Sequence, residues 1–140
     1  MKILLAVDGS EYTKRMLDYV AAHEELLGPA HDYMLCTVVA PIPPHARRFL
    51  DRGVIEGYYQ EQWEEVLVPL QRSIAQHGWR VQTRHPVGSP PEMIAALAEQ
   101  EKVDLIVMGT HGHTSLGNVI LGSVATGVIA RSPCPVLLVP

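Results

Sequence analysis

Apolar residues fall along this chain in two rhythms. Residues 2–7, 33–39, 103–108 and 136–139 are short, nearly continuous apolar runs rich in Val, Ile and Leu. Runs of that length with no polar alternation read as strands covered on both faces, the pattern of a parallel sheet interior. Residues 80–87 differ: Val81, Thr83, His85 and Val87 alternate with Arg80, Gln82 and Arg84. One wet face makes this an edge strand.

Between the runs the spacing turns helical. Ser10 is placed to cap a helix carrying Met16, Leu17, Val20 and Leu27, with Gly28-Pro29 as its stop. Residues 58–77 carry Tyr59, Trp63, Val66, Leu67, Leu70 and Ile74 on one face. Pro69 within that stretch removes a backbone hydrogen bond and predicts a kink or two helical pieces. Ser89-Pro90-Pro91-Glu92 has the form of a capping box ahead of Met93, Ile94, Leu97 and Ala98. Ser123 is placed as N-cap of a last helix with Val124, Val128, Ile129 and Ala130 on one face. Gly127 inside it should cost about 1 kcal/mol relative to Ala, with no visible purpose. The Pro-rich stretch after Val39 and the charged segment behind it, residues 41–57, predict a flexible insertion holding one short helical turn. Its adjacent Arg47 and Arg48 could reach a phosphate but fit a solvated loop better.

Five strands alternating with four helical regions predict a single doubly wound α/β domain over residues 1–140, a parallel sheet with helices on both faces. At 140 residues and 47% apolar the chain can bury a core. The formal net charge is −4, with Lys and Arg scattered, which argues against nucleic-acid and membrane-surface roles. Cys36 and Cys134 sit in or beside strands and read as small buried hydrophobes, not as a disulfide or metal pair. The chain starts directly in a strand and has no apolar run of about 18 residues, so it is expected to be a soluble, cytoplasmic protein.

Candidate chemistry gathers after residues 103–108. There the chain runs Gly109-Thr110-His111-Gly112, then nine residues, then Gly122-Ser123 and a helix. A strand, a glycine-rich turn and a helix N-terminus make an anion site, because the first N–H groups of a helix lack intrahelical partners and the dipole favours negative charge. Gly109 and Gly112 would let backbone approach a phosphate without a Cβ in the way, and Ser123 would add a hydroxyl. The dinucleotide fingerprint G-x-G-x-x-G does not fit. The phosphate loop G-x-x-x-x-G-K-[ST] does not fit either, since Ser123 stands where Lys belongs after Gly117 and Gly122. Asp8, at the carboxyl end of the first strand, is placed either to meet a ribose hydroxyl or to hold the N–H groups of its own turn.

A third pattern fits without a gap. Gly109, Gly112, Gly122 and Ser123 match G-x2-G-x9-G-[ST] position by position. This resembles the ATP-binding motif of the universal stress protein family, and the opening KILLAVDGS, the run VDLIVM and the closing PVLLVP are similar to that family too. The resemblance implies a sheet order of 3-2-1-4-5. It implies an adenine-nucleotide site built from Ala6, Val7, Asp8, Val38, Met108, Gly109, Gly112, His113, Thr114, Gly122, Ser123 and Val124, with the backbone at Val38 meeting the adenine edge. ATP, with or without Mg²⁺, is the implied ligand, and AMP or another adenine nucleotide stays open. The family often has Lys or Arg at the position of His113. Histidine is a weaker, pH-dependent cation, so phosphate grip is expected to weaken between about pH 6 and pH 8.

His111 and His113 lack the further ligands that a metal site would need, and Glu11 is the only acidic residue close to Asp8 that could help hold Mg²⁺. No residue is obviously placed as a hydrolytic base. The expected role is therefore a dimeric, nucleotide-binding stress-response sensor or switch coupled to an unidentified protein partner, with slow hydrolysis allowed. An ATP-using enzyme of the adenine-nucleotide hydrolase or transferase type is the first alternative. Asp8-Gly9-Ser10-Glu11 is too poor in Gly and Ser for the loop such enzymes carry after the first strand. An interaction module with no bound nucleotide is the second alternative. With the last strand as a sheet edge, residues 136–139 are too apolar to face water, so a homodimer through this strand is expected, as the family also implies.

Overall fold

A computed structural model of the protein describes residues 1–113 and 120–140. The elements run β1 (Lys2–Ala6), α1 (Glu11–Ala22), α2 (Glu24–Leu27), β2 (Asp32–Cys36), α3 (Pro44–Arg47), α4 (Arg52–Ala75), β3 (Val81–Arg84), α5 (Pro90–Gln100), β4 (Leu105–Gly109), α6 (Ser123–Arg131) and β5 (Val136–Val139). The strands form one parallel sheet in the order β3-β2-β1-β4-β5. This is the expected doubly wound α/β architecture, with β3 on an edge. No described helix is long and apolar enough to cross a membrane.

The continuous apolar runs exist because successive side chains of a strand point to opposite faces and both faces are covered. On one face Ile3, Leu5, Val7, Tyr33, Leu35 and Val107 pack with Met16 and Val20 of α1, Leu67 and Ile74 of α4, and Trp79. On the other, Leu4, Ala6, Met34, Cys36, Ile106 and Met108 pack with Ile94 and Ala98 of α5 and Ala125 and Val128 of α6.

The helices depart from expectation in instructive ways. The first breaks at His23, whose backbone (φ −118°, ψ 55°) leaves the helix and whose Nδ1 lies 2.7 Å from the Tyr19 carbonyl oxygen, so α2 is a separate turn. Residues 52–57 are not irregular insertion but the first turns of α4. Gly53 and Gly57 hid this, since each weakens a helix by about 1 kcal/mol; the Arg52–Glu56 pair and attachment to the amphipathic body of α4 offset them. Pro69 does not divide α4 into two elements. Pro69 and Glu65 both lie on the exposed side, where water can satisfy the Glu65 carbonyl that the proline cannot. Ser89 occupies the N-cap position of α5, yet its side chain makes no capping hydrogen bond. In α6 the N-cap is Gly122 and Ser123 is the first helical residue, so the helix begins one position earlier than expected. Its buried residues are Ala125 and Val128, whereas Ile129 is 49% exposed and Ala130 is also exposed.

Gly127 acquires a purpose. A Cβ there would stand 2.6 and 2.7 Å from Cβ and Cγ of Pro91. The missing side chain is what lets α6 lie against the start of α5, so both helix N-termini can border the same end of the sheet.

Candidate functional site: a cleft at the carboxyl end of the sheet

Between β1 and β4 the connections leave for opposite faces of the sheet, and a crevice opens at their carboxyl ends, where α/β folds place ligands. Here it is a cleft of about 360 Å³. Ala6, Val7 and Asp8 contribute from β1 and its end, Cys36, Thr37 and Val38 from the end of β2, and Met108, Gly109, His111, Gly112 and His113 from β4 and its turn. Gly122, Ser123, Val124 and Ala125 come from the start of α6, Pro90 and Ile94 from α5, and Thr13 from α1. The structure thus brings together eleven of the twelve site residues expected from the sequence. The twelfth, Thr114, lies outside the described residues.

The cleft has two characters. Ala6, Cys36, Val38, Ile94, Met108 and Val124 make an apolar wall. At the other end, the N–H groups of Ser123, Val124 and Ala125 precede the first backbone bond of α6, Thr126 N–H to the Gly122 carbonyl at 3.0 Å. They are donors without a partner inside the helix, at the positive end of its dipole.

Of the two roles open at the sequence level, Asp8 takes that of holding its own turn. Its Oδ1 accepts from the Ser10 N–H and the Thr13 hydroxyl, each at 2.9 Å, and the Thr13 hydroxyl in turn accepts from the Asp8 N–H at 3.0 Å. Gly9, at φ +78°, allows the turn. These bonds leave Oδ2 facing Gly112, where a Cβ would stand 2.5 Å from it. Burial pushes the carboxyl pKa up, but hydrogen bonds from Ser10 and Thr13, and the charge of His113, outweigh it and hold Asp8 below the ordinary value. The group is a carboxylate throughout the neutral range.

The motif glycines are required by the turn itself. A Cβ at Gly109 would meet Tyr12 Cβ at 2.8 Å; one at Gly122 would meet the Thr110 carbonyl oxygen at 2.9 Å and His111 Cα at 3.1 Å. Gly122 N–H also donates to that carbonyl at 2.8 Å. None of Gly109, Gly112 and Gly122 has a positive φ. Their first role is close packing of the turn against α1, Asp8 and itself, which shapes the cleft before any phosphate enters.

His113 is exposed and its Nε2 lies 2.8 Å from the Asp8 carbonyl oxygen, so the ring tethers the turn to the end of β1. His111, weighed from the sequence only as a metal ligand, lines the cleft with its Nδ1 2.9 Å from the Thr110 hydroxyl and its ring 5.0 Å from that of Tyr12. Glu11 is engaged by Arg15 at 3.2 Å. Thr13, Thr37, Cys36, Pro90, Ile94 and Ala125 also line the cleft unforeseen. Their signal was present but indirect: the buried faces of α5 and α6 contain Ile94 and Ala125, and nothing in the sequence says that those faces meet at the mouth of the sheet.

The sequence model of the universal stress protein family matches residues 1–140. A universal stress protein of Thermus aquaticus is 37% identical over 140 residues, spanning 98% of this chain and 96% of that one. MJ0531 of Methanocaldococcus jannaschii is 40% identical over 86 residues, 61% of this chain, and the match spans only 51% of that relative's length. Among solved structures, MJ0577 of the same organism superposes with a TM-score of 0.82 at 33% identity, covering 99% of this chain and 94% of that one. A universal stress protein of Archaeoglobus fulgidus, solved in complex with dAMP, superposes with a TM-score of 0.66 at 25% identity over 100% of this chain and 98% of its own. Fold, cleft and match over the full length agree: the chain belongs to the universal stress protein family.

Proposed function

We propose that the cleft binds an adenine nucleotide, ATP first among them, and that the protein is a cytoplasmic, dimeric stress-response sensor or switch whose occupancy is read by a partner protein. The observation that carries this reading is the convergence, in one cleft, of an apolar wall, a fixed carboxylate and a helix N-terminus. Those surfaces match a purine, a ribose and a phosphate in turn. A nucleotide fits these residues: Val38 and Met108 flank the base, Asp8 Oδ2 accepts from ribose hydroxyls, and the N–H groups of residues 123–125 hold phosphate oxygens. The dAMP complex of the Archaeoglobus fulgidus relative supports the same ligand class. Mg²⁺ would enter with the phosphates, since Glu11 is taken by Arg15. Dimerisation is supported by β5, whose outer edge faces no described strand while Val136, Leu137 and Leu138 stay half-buried. Sedimentation that gives a monomer at micromolar concentration would refute it.

The test of binding is to denature protein purified from cells and identify the released small molecules by chromatography and mass spectrometry. Gly122 variants are unsuitable because a Cβ there collides with backbone. Asp8→Asn keeps the Oδ1 acceptor of the turn and replaces Oδ2 with an amide. An adenine nucleotide near one per chain, and a loss of about tenfold or more in affinity in Asp8→Asn, is expected. No released nucleotide, together with no thermal shift on adding millimolar ATP, would overturn the reading.

A further inference from the structure

The one phenylalanine of the chain, Phe49, is 79% exposed. It does not stand alone. Leu50 (40%), Val54 (54%) and Tyr58 (44%) follow at four-residue spacing into the start of α4, also exposed. Leu50, Val54 and Tyr58, with Ala40, Pro41, Ile42 and Pro43 opposite, line a shallow groove of about 310 Å³ outside the nucleotide cleft. Its floor is ordered: the Ile42 N–H donates to the Tyr59 hydroxyl at 3.0 Å, and the Arg47 guanidinium donates to the Ile42 carbonyl at 3.3 Å. A contiguous apolar groove left open to water marks an interaction surface rather than scattered exposure.

Charge says what covers it. The chain as a whole is acidic, yet residues 40–58 hold three arginines against two carboxylates, Asp51 and Glu56. Glu56 is already paired with Arg52 at 3.0 Å. Arg47 and Arg48 have no carboxylate partner among the described residues, and the Arg48 guanidinium lies 5.3 Å from the centre of the Phe49 ring. A second copy docked two-fold on this face would bring a second set of three arginines and two carboxylates and leave the interface net positive. An acidic segment would neutralise them.

We propose that this groove docks a short acidic amphipathic segment of a partner protein, its apolar side chains seated between the 40–43 strap and Val54 and its Asp or Glu residues on Arg47 and Arg48. The experiment pans a random peptide library against the full-length protein and measures the selected peptides by fluorescence anisotropy. Peptides pairing Leu, Phe or Trp with flanking Asp or Glu are expected. Val54→Asp and the double variant Arg47→Glu/Arg48→Glu should each weaken them about tenfold or more, and added salt should weaken them further. These positions are exposed, so an unchanged thermal melt separates lost docking from lost folding. No enrichment overturns the proposal, as do peptides that bind both variants as tightly as the parent, or basic peptides. Tighter binding to phosphatidylserine vesicles than to any selected peptide, lost with Phe49→Ser, overturns it in favour of a membrane surface.

Discussion

Gly127→Ala sets a local rule against a tertiary one. In an isolated helix, alanine would stabilise by about 1 kcal/mol. In this fold the new Cβ lands 2.6 Å from Cβ and 2.7 Å from Cγ of Pro91. Carbon atoms in ordinary contact sit about 3.5–4.0 Å apart, so α5 and α6 must part by roughly 1 Å. The obstacle is a proline ring in the first turn of α5, with no rotamer to turn away. Overpacking costs about 1–3 kcal/mol, and a rigid obstacle puts this case at the upper end. The net expectation is a loss of about 2 kcal/mol, or a fall in Tm of about 4–8 °C for a domain of this size. Urea unfolding should shift its midpoint with unchanged slope. In a Pro91→Gly background, which lacks both struck atoms, Gly127→Ala should cost little or nothing further, because the two sites share one contact. A Gly127→Ala protein more stable than its parent would refute the packing account.

Two other outcomes follow from the titratable groups. Asp8 has a folded pKa below its unfolded value, so its contribution to stability is present above the unfolded pKa of about 4 and is lost as pH falls through the folded one; urea unfolding of the parent and of Asp8→Asn should converge as pH is lowered below about 4, and curves that stay parallel would refute the linkage. Burial pushes the Cys36 thiol up to about 12, against a weaker opposing pull from Arg84. At about pH 8 it holds almost no thiolate, so a disulfide reagent should titrate the half-buried Cys134 first and reach Cys36 only on unfolding, whereas equal rates would refute its burial.

Element type and fold class were legible because they follow from local periodicity. Residues 2–7, 33–39 and 103–108 read as buried strands since a strand covered on both faces has no polar alternation to show. Gly109, Gly112, Gly122 and Ser123 marked the cleft because turn, close approach and helix start impose residue types at fixed offsets. The ends of α4 and the break at His23 were not legible, since Gly53, Gly57 and His23 act through small propensity terms that neighbouring contacts outweigh.

By itself, then, the sequence determined the alternation of strands and helices, the apolar faces and the address of the glycine-rich turn, all set by residues close along the chain. Only the tertiary structure decided that Asp8 Oδ2 faces Gly112, that Gly127 makes room for Pro91, that Thr13, His111 and Ile94 join the cleft, and that Phe49 and Val54 lie uncovered beside Arg47 and Arg48. Those facts join residues far apart in the chain, and distance along a sequence holds no record of which side chains meet once two sheet faces and four helical connections have closed over the core.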